Sequence, residues 1–298
     1  TEANNMAIRS LCPEGATLIT TRVEHPSVVK LAQELASRGL VVHWLPVDAS
    51  GLIDPQLLDE ILKSLPDPAK TLVATHAVNH ETGVIQPIAA IGTIAHERGA
   101  RLHVDAVQAL GKVPSKHFQA ADTLTLAAHK IRGPKGIGAL VFRHCTSLLP
   151  ILSGGAQERG LRPGTQSAAL CAGFGVAAQW VGSGDRWAEV RPLRDEIEAS
   201  LVALGAQLNA GEPRACHVSN LSFPERRGDE LVAALDVEGV CVSSGSACSA
   251  GTAEHSPVIE AMLGIDRARS SVRLSLGPTT TVREIREAIE CFAAVLAR

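Results

Sequence analysis

Lys130 is the residue of this chain best suited to covalent chemistry. It stands in Ala127-Ala128-His129-Lys130-Ile131-Arg132-Gly133-Pro134-Lys135-Gly136, directly after the apolar run Thr123-Leu124-Thr125-Leu126. That run reads as a buried strand, and Gly133-Pro134 and Gly136 punctuate a turn before a second strand at Ile137 to Phe142. A lysine where a strand enters a turn reaches a pocket that the strand anchors. With a lowered pKa it attacks carbonyls, and a covalent link to pyridoxal phosphate is one outcome. A solvated lysine on a surface turn explains the decapeptide equally well, since P-loop and dinucleotide fingerprints are both absent.

Other residues offer partners for such a cofactor. Asp105, in Leu102-His103-Val104-Asp105-Ala106-Val107-Gln108, ends a predicted buried strand with an amide three residues on. Pyridoxal enzymes need an acid that keeps the pyridine nitrogen protonated, and Asp105 fits that role, with Gln108 for the ring hydroxyl. Capping of the next helix is the competing role for Asp105. Cys248 sits within Ser243-Ser244-Gly245-Ser246-Ala247-Cys248-Ser249-Ala250-Gly251, a run of small residues that reads as an exposed, mobile loop. Cysteines are more often buried as small hydrophobes, so this placement favours a swinging nucleophile over an incidental thiol. The run from Gly154 to Thr165 is glycine-rich, carries Arg159 and Arg162, and puts Thr165 at a predicted helix start, where a phosphate or a plain N-cap both fit. Arg273, on the strand Ser271-Val272-Arg273-Leu274-Ser275, suits a carboxylate or an edge-strand charge. His25, between a strand and a helix, could lie over a planar ring, move a proton, or be structural.

The elements that must hold these residues alternate. Strands are predicted at Thr17 to Thr21, Leu40 to Leu45, Leu72 to Thr75 and Leu102 to Val104. Helices fall near Ala3 to Ser10, after His25-Pro26-Ser27, from Asp54-Pro55 to about Ser64, and around Ile88, Ile91 and Ile94. Such alternation predicts an α/β domain with a mainly parallel sheet, whose ligands gather at the carboxyl ends of the strands. Asn79-His80-Glu81, Asp105 and Lys130 all stand just past such ends. A helix from about Thr165 to Trp180 leads to Val181-Gly182-Ser183-Gly184-Asp185, which reads as a boundary. The domains are therefore predicted as 1–185 and 186–298, the second a smaller α+β domain. Its predicted elements are helices at Leu193 to Leu204, Asp229 to Asp236 and Val282 to Leu296, and strands at Val218 to Phe223, Val240 to Ser243 and Val272 to Leu276.

Composition fits a globular chain: 298 residues, 45% hydrophobic, 20% charged, net charge −3. No apolar run has membrane-span length, and no basic block suits nucleic acid. Seven cysteines without a C-x-x-C pair or zinc spacing read as reduced thiols in a cytoplasmic protein. Cys12, Cys145, Cys171, Cys216, Cys241 and Cys291 read as structural thiols.

Six separated motifs together resemble the cysteine desulfurases, pyridoxal-phosphate enzymes of the class V aminotransferase fold (fold type I). They are Thr1-Glu2-Ala3-Asn4-Asn5, Glu24-His25, Asn79-His80-Glu81-Thr82-Gly83, His103-Val104-Asp105, His129-Lys130 with Gly133-Pro134-Lys135-Gly136, and Ser244-Gly245-Ser246-Ala247-Cys248. The resemblance runs from Thr1 to about Leu296. It implies that Lys130 holds pyridoxal 5'-phosphate covalently and later takes the substrate's α-proton, that Asp105 pairs with the pyridine nitrogen, and that Gln108 meets the ring oxygen. His25 would stack on the ring and assist proton transfer. Thr1 and His129 would bind the phosphate, with Thr165 reaching in from the partner of a homodimer. Asn79 and His80 would line the substrate and ring side, and Arg273 would hold the substrate carboxylate. Cys248 would take the sulfur of L-cysteine as a persulfide, leaving alanine, and pass it to an acceptor such as an iron–sulfur scaffold protein or to RNA thiolation.

The chain departs from the family at three positions. His80 stands where asparagine is usual, Ala127 where a serine hydroxyl meets the phosphate, and Pro278 where an arginine is familiar. The family also carries a segment before this chain's first residue, so the sequence alone reads as a fragment or truncated relative. Besides a desulfurase, a selenocysteine lyase or other class V pyridoxal enzyme and a non-catalytic truncated relative are therefore alternatives.

Overall fold

The computed structural model describes residues 1–182, 187, 189–245 and 255–298. Their contacts form two units. Unit 1 comprises Thr1–Pro46, Ile53–Val78 and Gln86–Gly184; unit 2 comprises Val47–Leu52, Asn79–Ile85 and Asp185–Arg298.

Unit 1 is built on six strands: β1 (Thr17–Thr20), β2 (Val41–Trp44), β3 (Thr71–His76), β4 (Arg101–Asp105), β5 (Thr123–Ala127) and β6 (Gly138–Phe142). Their order is β2-β1-β3-β4-β5-β6. The first five run parallel, and β6 returns antiparallel to β5. The helices α1 (Glu2–Leu11), α2 (Pro26–Ser37), α3 (Pro55–Ser64), α4 (Ile88–Glu97) and α5 (Ala168–Gly182) complete the unit. Every residue of β3 is buried, as a parallel strand covered on both faces requires. Val28, Leu31 and Ala32 of α2 and Ile8 of α1 pack against Leu18, Leu72 and Ala74 of the sheet. Pro26 at the first turn of α2 and Asp54 capping α3 through the Gln56 N–H, 2.8 Å, set where those helices begin.

Two features of this sheet place chemistry. The chain leaves β1 toward β2 and then crosses to β3 on the other side, so the sheet switches direction between β1 and β3. Ligands of such sheets gather at that carboxyl edge. Past β5, the tight turn Ala128–Ile131 is closed by the Gly133 N–H donating to the Ala128 carbonyl at 2.8 Å, and Arg132 leaves it in the left-handed region at φ 67°. Gly138, paired with Ala127, anchors the returning strand; a Cβ there would lie 2.6 Å from the Leu126 carbonyl oxygen.

Unit 2 holds the antiparallel sheet β7 (Gln207–Leu208), β8 (Val218–Ser222) and β9 (Ser271–Ser275), in that order. Its helices are α6 (Val190–Ala203), α7 (Gly228–Val237), α8 (Pro257–Leu263), α9 (Ile265–Arg269) and α10 (Val282–Leu296). Ile197, Leu201, Leu221, Leu235, Val272 and Phe292 form its core, with Phe292 stacked on Phe223 at 5.7 Å. A buried ion pair stiffens it: Arg214 grips Glu198 through both guanidinium ends at 2.6 and 2.9 Å.

Several expectations shift. The strand expected at Val240 to Ser243 reduces to one bridge, in which Ser243 and Arg273 exchange backbone bonds of 3.1 and 2.7 Å. The Val240 N–H is already spent on the Leu235 carbonyl at the end of α7. α5 begins at Ala168 rather than Thr165, because the Ser167 hydroxyl accepts from the Leu170 N–H and supplies the cap. Segments 47–52 and 79–85 join unit 2 through backbone bonds such as Gly211 N–H to the Ser50 carbonyl and Ala215 N–H to the Gly83 carbonyl. No helix among the described residues is long and apolar enough to cross a membrane. The expected boundary at 181–185 lies partly, and the small-residue loop after Gly245 wholly, outside the described residues.

Gly138→Ala is expected to force β6 off β5, since the obstructing atom is backbone. A loss of roughly 1–3 kcal/mol in urea unfolding is the expected cost of such a clash.

Candidate active site

In unit 1 the predicted residues fall into two hydrogen-bonded groups, one joining Asp105 to His25 and one joining Gln108 to the lysine turn. β4 delivers Asp105, 7% exposed, to the carboxyl edge of the sheet. One of its oxygens, Oδ1, accepts from the Val107 N–H at 3.0 Å, so the expected local capping contact exists. The other, Oδ2, accepts from Asn4 Nδ2 at 2.7 Å. Asn4, on α1, also donates to Ser27 Oγ at 2.9 Å, and Ser27 Oγ lies 2.8 Å from His25 Nδ1. His25 itself caps α2, its Nδ1 accepting from the Ser27 N–H at 3.1 Å.

His25 ties this network to Lys130. Burial holds its pKa below the ordinary imidazole value; the Asp105 carboxylate opposes that, and the Thr1 amino group and Lys130 ammonium reinforce it. The charges of Asp105 and Lys130 therefore both bear on the His25 ring. His129 is also lowered, first by burial and then by Lys130, Lys135, the Thr1 amino group and Lys112. Lys112 donates to the Lys130 carbonyl at 3.0 Å and to Gln108 Oε1 at 3.3 Å, linking Gln108 to the lysine turn.

These residues suit pyridoxal phosphate. Three lysines around His129, Lys130, Lys135 and Lys112, make a field for a dianionic phosphate. Thr1 is the N-cap of α1, yet its side chain caps none of that helix's N–H groups, leaving the helix start available to an anion. Beside it is a recess of about 340 Å³ lined by Thr1, Asn5, His25, Ser27 and Lys30, among others. A buried carboxylate, an imidazole and an exposed lysine complete the donor set the cofactor requires. Thr165 is exposed and joins none of these contacts in its own chain. Ala127 brings only a methyl group to the end of β5.

In unit 2 the segment Asn79–Ile85 forms a tight loop. Asn79 Oδ1 accepts from the N–H groups of Glu81 and Thr82, at 2.9 and 3.0 Å. The left-handed Gly83, φ +77°, closes the turn back to the Asn79 carbonyl. Arg273 donates to the His80 carbonyl at 3.3 Å, so β9 and this loop hold each other. His80 Nε2 lies 3.6 Å from Glu81 Oε1. Glu81 is fully buried, accepts from the Ser256 hydroxyl, and has its pKa raised by burial despite that bond and the Arg273 charge. Cys248 lies outside the described residues. Cys12, Cys216 and Cys291 are buried or half-buried, and burial pushes the Cys12 thiol up to about 12. Cys145, Cys171 and Cys241 are exposed, Cys171 on the outer face of α5.

Asn4, Ser27, His103 and Lys112 were not singled out from the sequence as functional. Three of them lie within or beside quoted motifs, but no spacing rule marks an amide on one helix as the partner of a carboxylate on a distant strand. For Asn4, Ser27 and His103 the partners are set by the packing of α1 over the sheet, and for Lys112 by the approach of the lysine turn.

The aminotransferase class-V family model matches residues 1–287. The chain is 39% identical over 310 residues to a cysteine desulfurase NifS of Azotobacter vinelandii, covering all of this chain and 76% of that one. A solved NifS-like protein from Rickettsia africae superimposes with TM-score 0.89 at 29% identity, over 100% of this chain and 79% of that one. A structure described as SspA in complex with cysteine is 34% identical, with TM-score 0.78 over 94% and 80% of the two chains.

His103 predicts a pH dependence of stability. It is fully buried, and burial lowers its pKa from 6.5 to about 4. The unfolded chain therefore binds the extra proton first as pH falls. Its contribution is whole above about pH 6.5 and is lost toward pH 4, by up to roughly 3 kcal/mol. His25 slopes the same way, and the raised Glu81 the other. Urea midpoints at pH 7 and pH 5 should fall less steeply for His103→Gln than for the parent chain.

Proposed function

Because this chain belongs to the class V aminotransferase family, we propose that it is a pyridoxal-phosphate-dependent cysteine desulfurase, converting L-cysteine to L-alanine and holding the sulfur as a persulfide on Cys248. The observation that carries this reading is the network in which Asn4 and Ser27 join Asp105 to His25, beside the free N-cap of α1 and within the field of Lys130. The cysteine desulfurase relatives, similar over the whole chain, supply the reaction.

When bound, the cofactor supplies a carbonyl for the substrate's amine and a ring that stores electrons released at Cα. Lys130 Nζ would hold it covalently and, once displaced by substrate, carry the α-proton. Asp105 would keep the pyridine N–H protonated, its oxygens fixed by Asn4 and Val107. His25 would lie on the ring with its Nε2 proton available to substrate, and Gln108 would face the ring oxygen. Thr1 and His129 would bind the phosphate. Asn79, His80 and Arg273 would orient the substrate, the guanidinium taking its carboxylate in a bidentate pair. The Cys248 thiolate would attack the substrate sulfur; the new S–S bond forms as the C–S bond breaks, and that electron pair returns toward carbon.

Residues 1–185 would be the cofactor domain and 186–298 would carry the cysteine loop. A homodimer is part of the proposal. It is supported by the apolar helix α5, where Val176 is 66% exposed, and by exposed Val141, Leu149 and Leu152 in the same unit. Thr165 of the partner subunit would then complete the phosphate site. The sulfur acceptor would be a protein of the iron–sulfur scaffold kind, and the compartment the cytoplasm, where the described cysteines, all free thiols, are stable.

The deciding assay supplies the chain with pyridoxal phosphate, L-cysteine and a thiol reductant, and measures alanine and sulfide together. Equimolar products are expected. Cys248→Ala should stop sulfide release with cofactor absorbance retained, and Lys130→Ala should abolish that absorbance. Turnover with selenocysteine alone would redirect the assignment to a selenocysteine lyase. Light scattering should report a dimer for the parent chain and a monomer for Val176→Glu.

A further inference from the structure

Asn4 makes three side-chain contacts, of which the roles proposed above use only the one to Asp105. It is 1% exposed, and its amide nitrogen reaches Asp105 Oδ2 at 2.7 Å and Ser27 Oγ at 2.9 Å, while its Oδ1 lies 3.0 Å from His103 Nε2. The amide can face only one way, because an ionised carboxylate accepts and never donates. Oδ1 must then accept, so His103 carries its proton on Nε2 and accepts at Nδ1 from the Thr123 hydroxyl, 2.8 Å away. Burial keeps that imidazole neutral down to about pH 4, so the arrangement holds at any working pH.

The same logic runs outward along the other arm. Ser27 Oγ accepts from Asn4, so its own hydrogen turns to His25 Nδ1, which also receives the Ser27 backbone N–H. A ring nitrogen that accepts from two donors carries no proton. His25 therefore presents Nε2–H, a donor rather than a base. Asp105, Glu24, Lys130 and the Thr1 amino group all act on this ring, with the carboxylates favouring a second proton and the cations opposing it.

We infer that Asn4 is a positioning residue that couples two cofactor contacts, orienting the Asp105 carboxylate with one amide hydrogen and setting the His25 tautomer through Ser27 with the other. The consequence for a cofactor rests on the reading above; the coupling does not.

Imidazole ¹⁵N NMR of the histidine-labelled chain tests it, with and without pyridoxal phosphate. The parent chain should show His25 as the Nε2–H tautomer. Ser27→Ala should shift the tautomer equilibrium toward Nδ1–H by roughly fivefold, the worth of one neutral hydrogen bond. Asn4→Asp keeps the side-chain shape and the acceptor toward His103 but removes both donors. It should move the His25 tautomer similarly and weaken pyridoxal phosphate about tenfold, because a second carboxylate faces Asp105. Asn4→Leu, which removes the donors without adding charge, should reproduce the tautomer shift. A parent His25 protonated on Nδ1, or a tautomer indifferent to both Asn4 variants, would overturn the inference. Failure of the parent chain to bind pyridoxal phosphate would instead overturn the cofactor reading, while the tautomer measurements still decide the coupling.

Discussion

A carboxylate buried at the end of a parallel strand must be met by donors or give up its charge. Asp105 is that group, and the way its two oxygens are satisfied organises unit 1. The Val107 N–H comes from its own turn, as local structure provides. The second donor has to come from elsewhere, and it comes from α1, which crosses the same sheet. Fixing Asn4 there fixes the start of α1, hence the place of Thr1 and its free N-cap. Through Ser27 it also fixes the start of α2, hence the place of His25. One ionic requirement thereby sets a helix terminus, an imidazole and a carboxylate together.

Unit 2 is organised by a second buried carboxylate under a different balance. Glu81 has a hydroxyl from Ser256 and the field of Arg273, but among the described residues no donated N–H comparable to that of Asn4. Desolvation therefore outweighs its partners, and its pKa moves up. The tight loop around it depends on Asn79, whose side chain replaces a strand's hydrogen bonds, and on a left-handed glycine. The same residues that read as a motif in the sequence are thus needed to fold the loop, independently of any ligand. His80 contributes a backbone carbonyl to Arg273 regardless of its side chain. An imidazole in place of an amide is tolerated structurally for that reason.

Much of the architecture was legible in advance. Short apolar runs marked the strands of unit 1, such as β3, buried on both faces, and a 3.6-residue period marked helices covered on one face, such as α2. Where the pattern misled, a competing bond explains it. Ser167 took the cap expected of Thr165, and the end of α7 claimed the N–H of Val240. The short helices α8 and α9 passed unnoticed, since five to seven residues carry too few apolar repeats to show a period.

The sequence by itself determined the chemical inventory: a lysine at a strand end, a carboxylate on a buried strand, a cysteine among small residues, and the order of motifs that marks the family. Residue type and local spacing suffice for these, because reactivity and secondary structure are short-range properties. Only the tertiary structure decided which groups share protons. Asn4 and Asp105 are 101 residues apart, and Asn4 and His103 are 99 apart. Their contacts exist because α1 and β4 pack in one layer against another, and a hydrogen bond's reach of about 3 Å admits no approximation to that packing. The tautomer of His25 and the orientation of Asp105 are consequences of that distance, which no local pattern encodes.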